Sequence, residues 1–166
     1  MSSRNTVLSK HQITQKTERI AYEIYENTFE EPIIYIGGIA GNGFLFAERL
    51  VQQLKDISSQ QVRLFEISIS KDKPLKNEIK LSIDESDLTN ATCILVDDVI
   101  NSGRTMLYAV RKLLENELHV LKVATLVNRT HRRFPVHADF VGLNLSTTMK
   151  DKIAVDLGKN EAAYLV

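Results

Sequence analysis

The chain has 166 residues, 43% of them hydrophobic, and its 21 basic side chains balance its 21 acidic ones. This length suits one domain, here residues 1–166, and the zero net charge excludes an overall attraction to nucleic acid or to a membrane surface. A single cysteine, Cys93, excludes an internal disulfide, and no signal-like or bilayer-spanning apolar segment is evident, so we expect a cytoplasmic protein without membrane partners.

The first predicted element is a helix from about Ser9 to Thr28. Ser9 and Gln12 have the spacing of a capping box, and the helix then places a set of residues on one face. These residues are Ile13, Thr17, Ile20 and Ile24. The run from Ile33 to Ile36 follows, and its consecutive apolar residues indicate a buried strand.

The next part of the chain predicts a turn, a helix, a strand and a loop. Gly37–Gly43 has four glycines in seven residues and is interpreted as a turn. Apolar residues recur at helical spacing over Phe44–Leu54, and the alternation over Val62–Ile69 indicates a strand. Ser70–Glu78 is a charged loop, and Ile79–Ile83 is compatible with a short strand.

The segment Ile94–Met106 carries the strongest functional signal. An apolar run leads to Asp97 and Asp98, and the polar turn Asn101–Thr105 follows. Acids at the end of such a strand point into the cleft where open α/β sheets bind ligands. The turn offers backbone N–H groups and hydroxyls at a helix N-terminus, which suits a phosphate monoester. Together the acids and the turn predict a sugar-phosphate site.

The elements around this segment indicate the fold. A helix from about Thr105 to Asn116 and a strand at His119–Val127 complete a β-α-β unit. Short strands are predicted near Ala138–Val141 and Ile153–Val155. Crossovers of this kind favour an α/β fold, a doubly wound, mostly parallel sheet with flanking helices.

Two other interpretations of the acidic segment remain open at this point. It is compatible with a buried strand that has a solvated acidic end, followed by an N-capped helix. It is also compatible with a Walker B strand, but no G-x-x-x-x-G-K-[ST] motif occurs in the chain.

The acid pair and the S-G-x-T turn resemble the phosphoribosyl pyrophosphate (PRPP) motif of the type I phosphoribosyltransferases. The resemblance implies a small base-binding hood on the sheet, transfer of the 5-phosphoribosyl group from PRPP to a nitrogenous base, and Mg²⁺ as cofactor. It implies that Asp97 and Asp98 are the catalytic residues at the ribose hydroxyls, and that Asp156 joins them around a metal held through the ligand. It assigns the 5-phosphate to Asn101, Ser102, Gly103, Arg104 and Thr105.

The glycine-rich turn is similar to the pyrophosphate-binding loop of this family, although it is alternatively no more than a tight turn. The resemblance assigns pyrophosphate to Gly38, Ile39, Ala40, Gly41, Asn42 and Gly43. The family often has a basic residue here, so in this chain we expect backbone N–H groups and metal to hold the pyrophosphate. Ser70–Lys80 takes the place of the family's lid, where Lys71 and Lys73 are the candidate ligand contacts.

The end of the chain is similar to the base-binding end of the family. The resemblance implies base contacts by Asn128, Arg129, Phe140 and Val141, although Phe140 is alternatively a core aromatic. Within the family the chain is most similar to uracil phosphoribosyltransferases that also attenuate pyrimidine operons, so uracil is the predicted base. The purine enzymes are an alternative, but Asn128 and Asn101 stand where those enzymes have a lysine and an acid.

A nucleotide-sensing, RNA-binding regulator with weak or no catalysis is the other functional alternative, ahead of a degenerate structural protein. The attenuators bind RNA partly through a threonine and a histidine of the N-terminal helix, and Glu18 and Tyr22 occupy those places here. A carboxylate repels RNA phosphates, which disfavours RNA as a partner. The basic cluster at Arg129, Arg132 and Arg133 is the evidence on the other side. We also expect a homodimer that binds PRPP and a nucleobase or nucleoside monophosphate.

Overall fold

The computed structural model describes residues 4–166, so residues 1–3 of the expected domain lie outside the described residues. The strands are β1 (Asn5–Ser9), β2 (Ile33–Ile39), β3 (Gln61–Ser68), β4 (Lys80–Leu81), β5 (Thr92–Ile100), β6 (Val120–Arg129), β7 (Phe140–Leu145), β8 (Ile153–Asp156) and β9 (Ala162–Leu165). The helices are α1 (Lys10–Thr28), α2 (Asn42–Ile57) and α3 (Arg104–Leu113), with a short 3-10 helix at Glu85–Leu88.

The strands form two sheets. The large sheet has the order β4-β3-β2-β5-β6-β7, and all its pairs are parallel except β3 with β4 at one edge. The small sheet, which we call the hood, has the antiparallel order β1-β9-β8. Helices α1 and α2 pack with the hood on one face of the large sheet, and α3 packs on the other. The predicted doubly wound α/β fold is therefore confirmed.

The crossovers diverge between β2 and β5, which places a ligand cleft there. The connection from β2 through α2 returns to β3 on one side, and that from β5 through α3 returns to β6 on the other. The pairing of β2 with β5 ends at Gly38 and Val96, whereas β5 stays paired with β6 as far as Ile100. Open α/β sheets bind ligands at such a switch point, beyond the carboxyl ends of the strands.

The glycine-rich segment is only partly a turn, so that prediction was wrong for its first three residues. Gly37, Gly38 and Ile39 belong to β2. A Cβ on Gly37 would lie 2.6 Å from the Phe65 ring, and one on Gly38 would lie 2.8 Å from Ala47 in α2. These glycines thus serve close packing on the two faces of the sheet.

Local signals predicted the helix starts well, and pairing between distant segments was missed. The capping box is present, since Ser9 and Gln12 exchange both side chain–backbone hydrogen bonds. Strands β1 and β9 were not predicted, because they pair the two ends of the chain with each other. Strand β7 begins two residues later than predicted, and α3 ends three residues earlier.

The structure also describes the single cysteine and the apolar character of the helices. Cys93 is buried, and burial raises the pKa of its thiol to about 12, so it behaves as an unreactive core residue. Within residues 4–166, no helix combines the length and the apolar character that crossing a membrane requires.

Candidate active site

Asp97 and Asp98 lie within β5, which continues to Ile100 because β6 still pairs with it there. Asp97 is 3% exposed and Asp98 is 7% exposed. The N–H of Asp98 donates to Asp97 Oδ1 over 2.9 Å. Because β2 no longer pairs with β5 beyond Val96, the acids stand where the sheet opens toward the cleft.

The electrostatics of the pair favour a cation or hydroxyl donors at this position. Burial raises the pKa of Asp97 well above the usual range of a carboxyl group, and the charge of Asp98 and a hydrogen bond with it raise that pKa further. The charge of Lys71 lowers the pKa of Asp97. Two desolvated carboxylates side by side repel each other, and a bound cation relieves that repulsion.

The N-terminus of α2 packs directly against Asp97. A Cβ on Gly43, the second residue of α2, would lie 2.5 Å from Asp97 Oδ1. Only glycine therefore allows the helix to approach this closely. The contact brings the two candidate loops, one after β2 and one after β5, to the same carboxylate.

The turn between β5 and α3, Asn101–Thr105, is called the phosphate turn below. Gly103 caps α3 with φ 87°, a left-handed conformation that glycine adopts readily. The N–H of Arg104 donates to Ser102 Oγ over 3.3 Å. The other N–H groups in the first turn of α3 have no partner within the helix, which makes this N-terminus suitable for an anion.

One cavity of about 120 Å³ joins Asp97 to the phosphate turn, and Asp98 does not line it. It is lined by Lys71, Asp97, Val99, Ile100, Asn101, Ser102, Gly103, Arg104, Thr105 and Met106. The structure thus brings one predicted acid and all five predicted 5-phosphate residues to a single site. It also places Lys71 there, which the sequence left as one of two equivalent loop lysines.

The basic loop after β6 supports the phosphate turn from behind. The N–H groups of Arg133 and Phe134 both donate to the Ser102 carbonyl over 3.0 Å. The Arg132 guanidinium donates to the backbone carbonyls of Ile100, Asn101 and Arg129. Burial lowers the pKa of Arg132, and its charge is directed into the protein. Sequence reasoning missed this supporting role, because nothing local distinguishes it from a solvated arginine.

The predicted pyrophosphate loop divides between a strand and a helix. Gly38 and Ile39 are in β2, and the Ala40 N–H donates to Ile67 C=O over 2.9 Å. Gly41 has φ 91°, and a Cβ there would have nothing within 4 Å. The backbone that remains for an anion is therefore the open start of α2, from Gly41 to Gly43.

The predicted base contacts are mostly occupied by the protein itself. Phe140 is 3% exposed and packs in the core cluster with residues of α1, which favours its alternative interpretation as a core aromatic. Arg129 is 6% exposed, and its guanidinium donates to Thr147 Oγ1 and to the Thr148 carbonyl. The Val141 carbonyl accepts from Arg19 Nη2 over 3.0 Å.

Asn128 is also held within the protein. Its Nδ2 donates to Asn144 Oδ1 over 2.8 Å, and its Oδ1 accepts from the Arg132 guanidinium. A cavity does open beside it, lined in part by Arg132, Val136 and Val141. Asn128 therefore borders an open surface, but its amide is free to meet a base only after exchanging these partners.

The coordination of a metal ion at this site would have to be completed by oxygens of the bound substrate. Among residues 4–166, no cluster of three or more His, Cys, Asp or Glu side chains is suited to hold an ion. Asp156 is exposed, and its Oδ1 accepts from the Gly158 N–H over 2.8 Å. Asp97 and Asp98 provide the buried carboxylates that fit a cation also bound by substrate oxygens.

Comparison with known proteins places the chain in a family. Residues 3–160 match the phosphoribosyl transferase domain. The chain is 31% identical over 156 residues to the bifunctional protein PyrR of Streptococcus pneumoniae, covering 91% of this chain and 88% of that protein. It is 30% identical over 148 residues to the PyrR of Streptococcus agalactiae, with 86% and 84% covered.

Solved structures share the fold at lower identity. A hypoxanthine-guanine phosphoribosyltransferase of Bacillus anthracis superposes with a TM-score of 0.76 at 24% identity, covering 98% of this chain and 97% of the other. The hypoxanthine phosphoribosyltransferase of Trypanosoma cruzi gives a TM-score of 0.78 at 16% identity, with 97% and 95% covered.

Proposed function

The chain belongs to the type I phosphoribosyltransferases, PRPP-dependent glycosyltransferases, and we propose that it transfers the phosphoribosyl group of PRPP to uracil and releases pyrophosphate. The observation that carries this proposal is the single cavity formed by Asp97, Lys71 and the whole phosphate turn. A buried acid beside a helix N-terminus recognises hydroxyls and a phosphate on one small molecule.

In the proposed reaction, a ring nitrogen of the base bonds to the ribose anomeric carbon while the bond from that carbon to the pyrophosphate oxygen breaks, and the proton of that nitrogen passes to the departing pyrophosphate or to solvent. The phosphate turn holds the 5-phosphate, Asp97 and Asp98 hold the ribose hydroxyls, and the start of α2 holds the pyrophosphate. The protein acts by positioning the reactants and by matching the charge that develops on them. The proposed lid, Ser70–Lys80, which carries Lys71, excludes water from the reaction.

The acid pair fits Mg²⁺ as the cofactor, since it combines two buried carboxylates whose mutual repulsion a cation relieves. When bound with PRPP, Mg²⁺ neutralises charge on the departing pyrophosphate. Asp97 and Asp98 would hold it together with substrate oxygens. Asp156 has one oxygen bonded in its own turn and forms no three-carboxylate cluster with them among the described residues, so it would contribute only through the bound ligand.

The proposal of uracil rests on resemblance and on one residue of the site. The chain resembles attenuator-type uracil enzymes, and Asn101 of the phosphate turn gives a neutral amide where the purine enzymes have an acid. The side-chain amide of Asn128 supports the proposal less than its sequence position suggested, because Asn144 and Arg132 already bind it.

A panel of bases with PRPP and Mg²⁺, followed by pyrophosphate release, tests the proposal. We expect uracil to be turned over well above guanine and hypoxanthine, and the matched Asp97→Asn/Asp98→Asn protein to be nearly inactive with all of them. A preference for either purine would overturn the choice of base. Pyrophosphate release at equal rates by the wild type and the double variant would overturn the site.

RNA binding is the second candidate, because the chain resembles the attenuators of pyrimidine operons; the PyrR relatives are described as bifunctional. Against it, Arg129 and Arg132 direct their charges into the protein, and Glu18 is exposed on α1. We propose that RNA binding is weak. A strongly salt-dependent RNA complex at sub-micromolar protein would contradict this, because such dependence reports direct phosphate contacts.

A further inference from the structure

The hood has one open edge, and the structure shows which backbone groups it exposes. Strand β8 is the last strand of the hood. Lys152 exchanges both backbone hydrogen bonds with Val166, each over 2.8 Å. Because such pairs alternate along antiparallel strands, the N–H and C=O groups of Ile153 and Val155 point away from β9. They form an edge that needs other partners.

Two asparagines supply those partners. Asn101 accepts from the Ile153 N–H and donates to the Ile153 C=O, both over 3.3 Å. Asn42 Nδ2 donates to the Val155 C=O over 2.7 Å. Asn101 is the first residue of the phosphate turn, and Asn42 is the first residue of α2. Each proposed phosphate loop therefore holds one residue of the same edge strand.

These contacts change what the two side chains can do. Each amide has one of its two N–H donors committed to the hood, whereas the backbone N–H groups of the same loops remain open. We propose that Asn42 and Asn101 are positioning residues that dock the edge of the hood onto the two phosphate loops. Occupancy of either loop by phosphate is then coupled to the order of the hood. This inference rests on the proposed function of the loops.

A second contact makes the α2 side of the docking firmer. Arg49 of α2 forms a bidentate ion pair with Glu161, with Nη–Oε distances of 3.0 and 2.9 Å, and donates to the Leu157 carbonyl over 2.9 Å. On the side of the phosphate turn, the described side-chain hydrogen bonds to β8 come from Asn101 alone, and no ion pair comparable to that of Arg49 supports them. Removal of Asn101 should therefore loosen β8 more than removal of Asn42.

Hydrogen exchange of the intact protein tests the docking. The variants are Asn42→Ala and Asn101→Ala, with Asn160→Ala, an exposed asparagine in the turn between β8 and β9, as the matched control. Without ligand, exchange in β8 should be about ten-fold faster in Asn101→Ala than in the control, as expected for the loss of one or two hydrogen bonds. Exchange at that site equal to the control would overturn the docking.

Ligands then separate docking from direct phosphate binding. Ribose 5-phosphate should slow β8 exchange in the wild type and in Asn42→Ala but not in Asn101→Ala. Because such coupling is reciprocal, its affinity for Asn101→Ala should fall by no more than the factor of that slowing. Pyrophosphate should slow β8 exchange in the wild type and in Asn101→Ala, and should not slow it in Asn42→Ala. Retained slowing in both variants would overturn the coupling. A loss of ribose 5-phosphate affinity in Asn101→Ala far beyond the factor of the slowing would make Asn101 a direct phosphate ligand and would overturn its positioning role. If the wild type binds neither ligand, the proposed function fails, and the exchange without ligand still decides the docking.

Discussion

Gly43 lies where the site leaves no room for a side chain, since a Cβ there would be 2.5 Å from Asp97 Oδ1. Within a helix, Gly→Ala normally stabilises by about 1 kcal/mol. We predict the opposite sign for Gly43→Ala, a destabilisation of about 1–3 kcal/mol from overpacking, with weaker pyrophosphate binding. Denaturant unfolding and calorimetry measure the two effects.

The clash gives this prediction its own control. Asp97→Ala removes the carboxylate that the new methyl group would meet, so the Gly43→Ala/Asp97→Ala protein should be more stable than the sum of the single variants implies. A double-mutant cycle isolates that coupling. Additive changes, or a Gly43→Ala protein more stable than the wild type, would show that α2 does not press on Asp97.

The buried carboxyl group of Asp97 should lower the stability of the folded protein, although PRPP binding requires it. Its pKa is raised in the folded protein, mainly by burial, so above about pH 4 the folded chain keeps a proton that the unfolded chain releases. Because of this retained proton, the free energy of unfolding falls as the pH rises between the pKa of Asp97 in the unfolded chain and its higher pKa in the folded protein. Asn does not titrate, so Asp97→Asn lacks this pH dependence. We predict that the free energy of unfolding of Asp97→Asn, relative to that of the wild type, increases with pH. We also predict that Asp97→Asn binds PRPP more weakly.

Thermal unfolding across the pH range measures this advantage, with the exposed Asp87→Asn as control. A stability difference for Asp97→Asn that does not depend on pH, or that matches the control, would contradict the raised pKa. Unweakened PRPP binding in a well-folded Asp97→Asn protein would remove Asp97 from the site.

At this scale, the sequence was informative where the chemistry is local. The acids and the turn residues were expected beside one cleft because the apolar run and the polar turn place them near the end of a strand and the start of a helix. The surroundings of Phe140 and Arg129 could not be predicted because they depend on distant segments, α1 for the ring and the Thr147–Thr148 loop for the guanidinium. Residue type by itself does not distinguish these partners from a ligand.

At the scale of elements, the lid contributes one lysine to the site. Lys71 lines the cavity and its charge lowers the pKa of Asp97, whereas Lys76 of the same loop does not line that cavity. We predict that Lys71→Ala raises the KM for PRPP about ten-fold, the effect of one charge-assisted hydrogen bond, and that Lys76→Ala leaves it unchanged. Steady-state kinetics with both variants measures this, and equal effects would reduce the lid to a general electrostatic role.

The elements that sequence reasoning placed poorly are those built by long-range pairing. Helix α1 was predicted from its capping box and apolar face, and both are present. The hood was expected only by resemblance, since β1 and β9 are short and pair across the whole chain. The glycines of β2 were taken for a turn because close packing against Phe65 and α2 cannot be distinguished from a turn in sequence.

For the whole molecule, the divergence of the crossovers between β2 and β5 places two helix N-termini around one acid pair. A second cavity, between the lid and α3, is the alternative place for a phosphate. It is bordered by Arg111 and Lys112, but Lys112 already pairs with Glu85 at 3.1 Å and with Glu115 at 3.0 Å. We therefore expect phosphate at the switch point and not beside the lid.

Amide-resolved NMR of the isotope-labelled protein tests this central claim most directly. Ribose 5-phosphate should shift the amides of Gly103, Thr105 and Met106, and pyrophosphate should shift those of Asn42 and Gly43. PRPP with Mg²⁺ should shift both groups together. If ribose 5-phosphate instead leaves the phosphate turn unchanged and shifts the amides around Arg111 at saturating concentration, the site lies elsewhere and the account is contradicted.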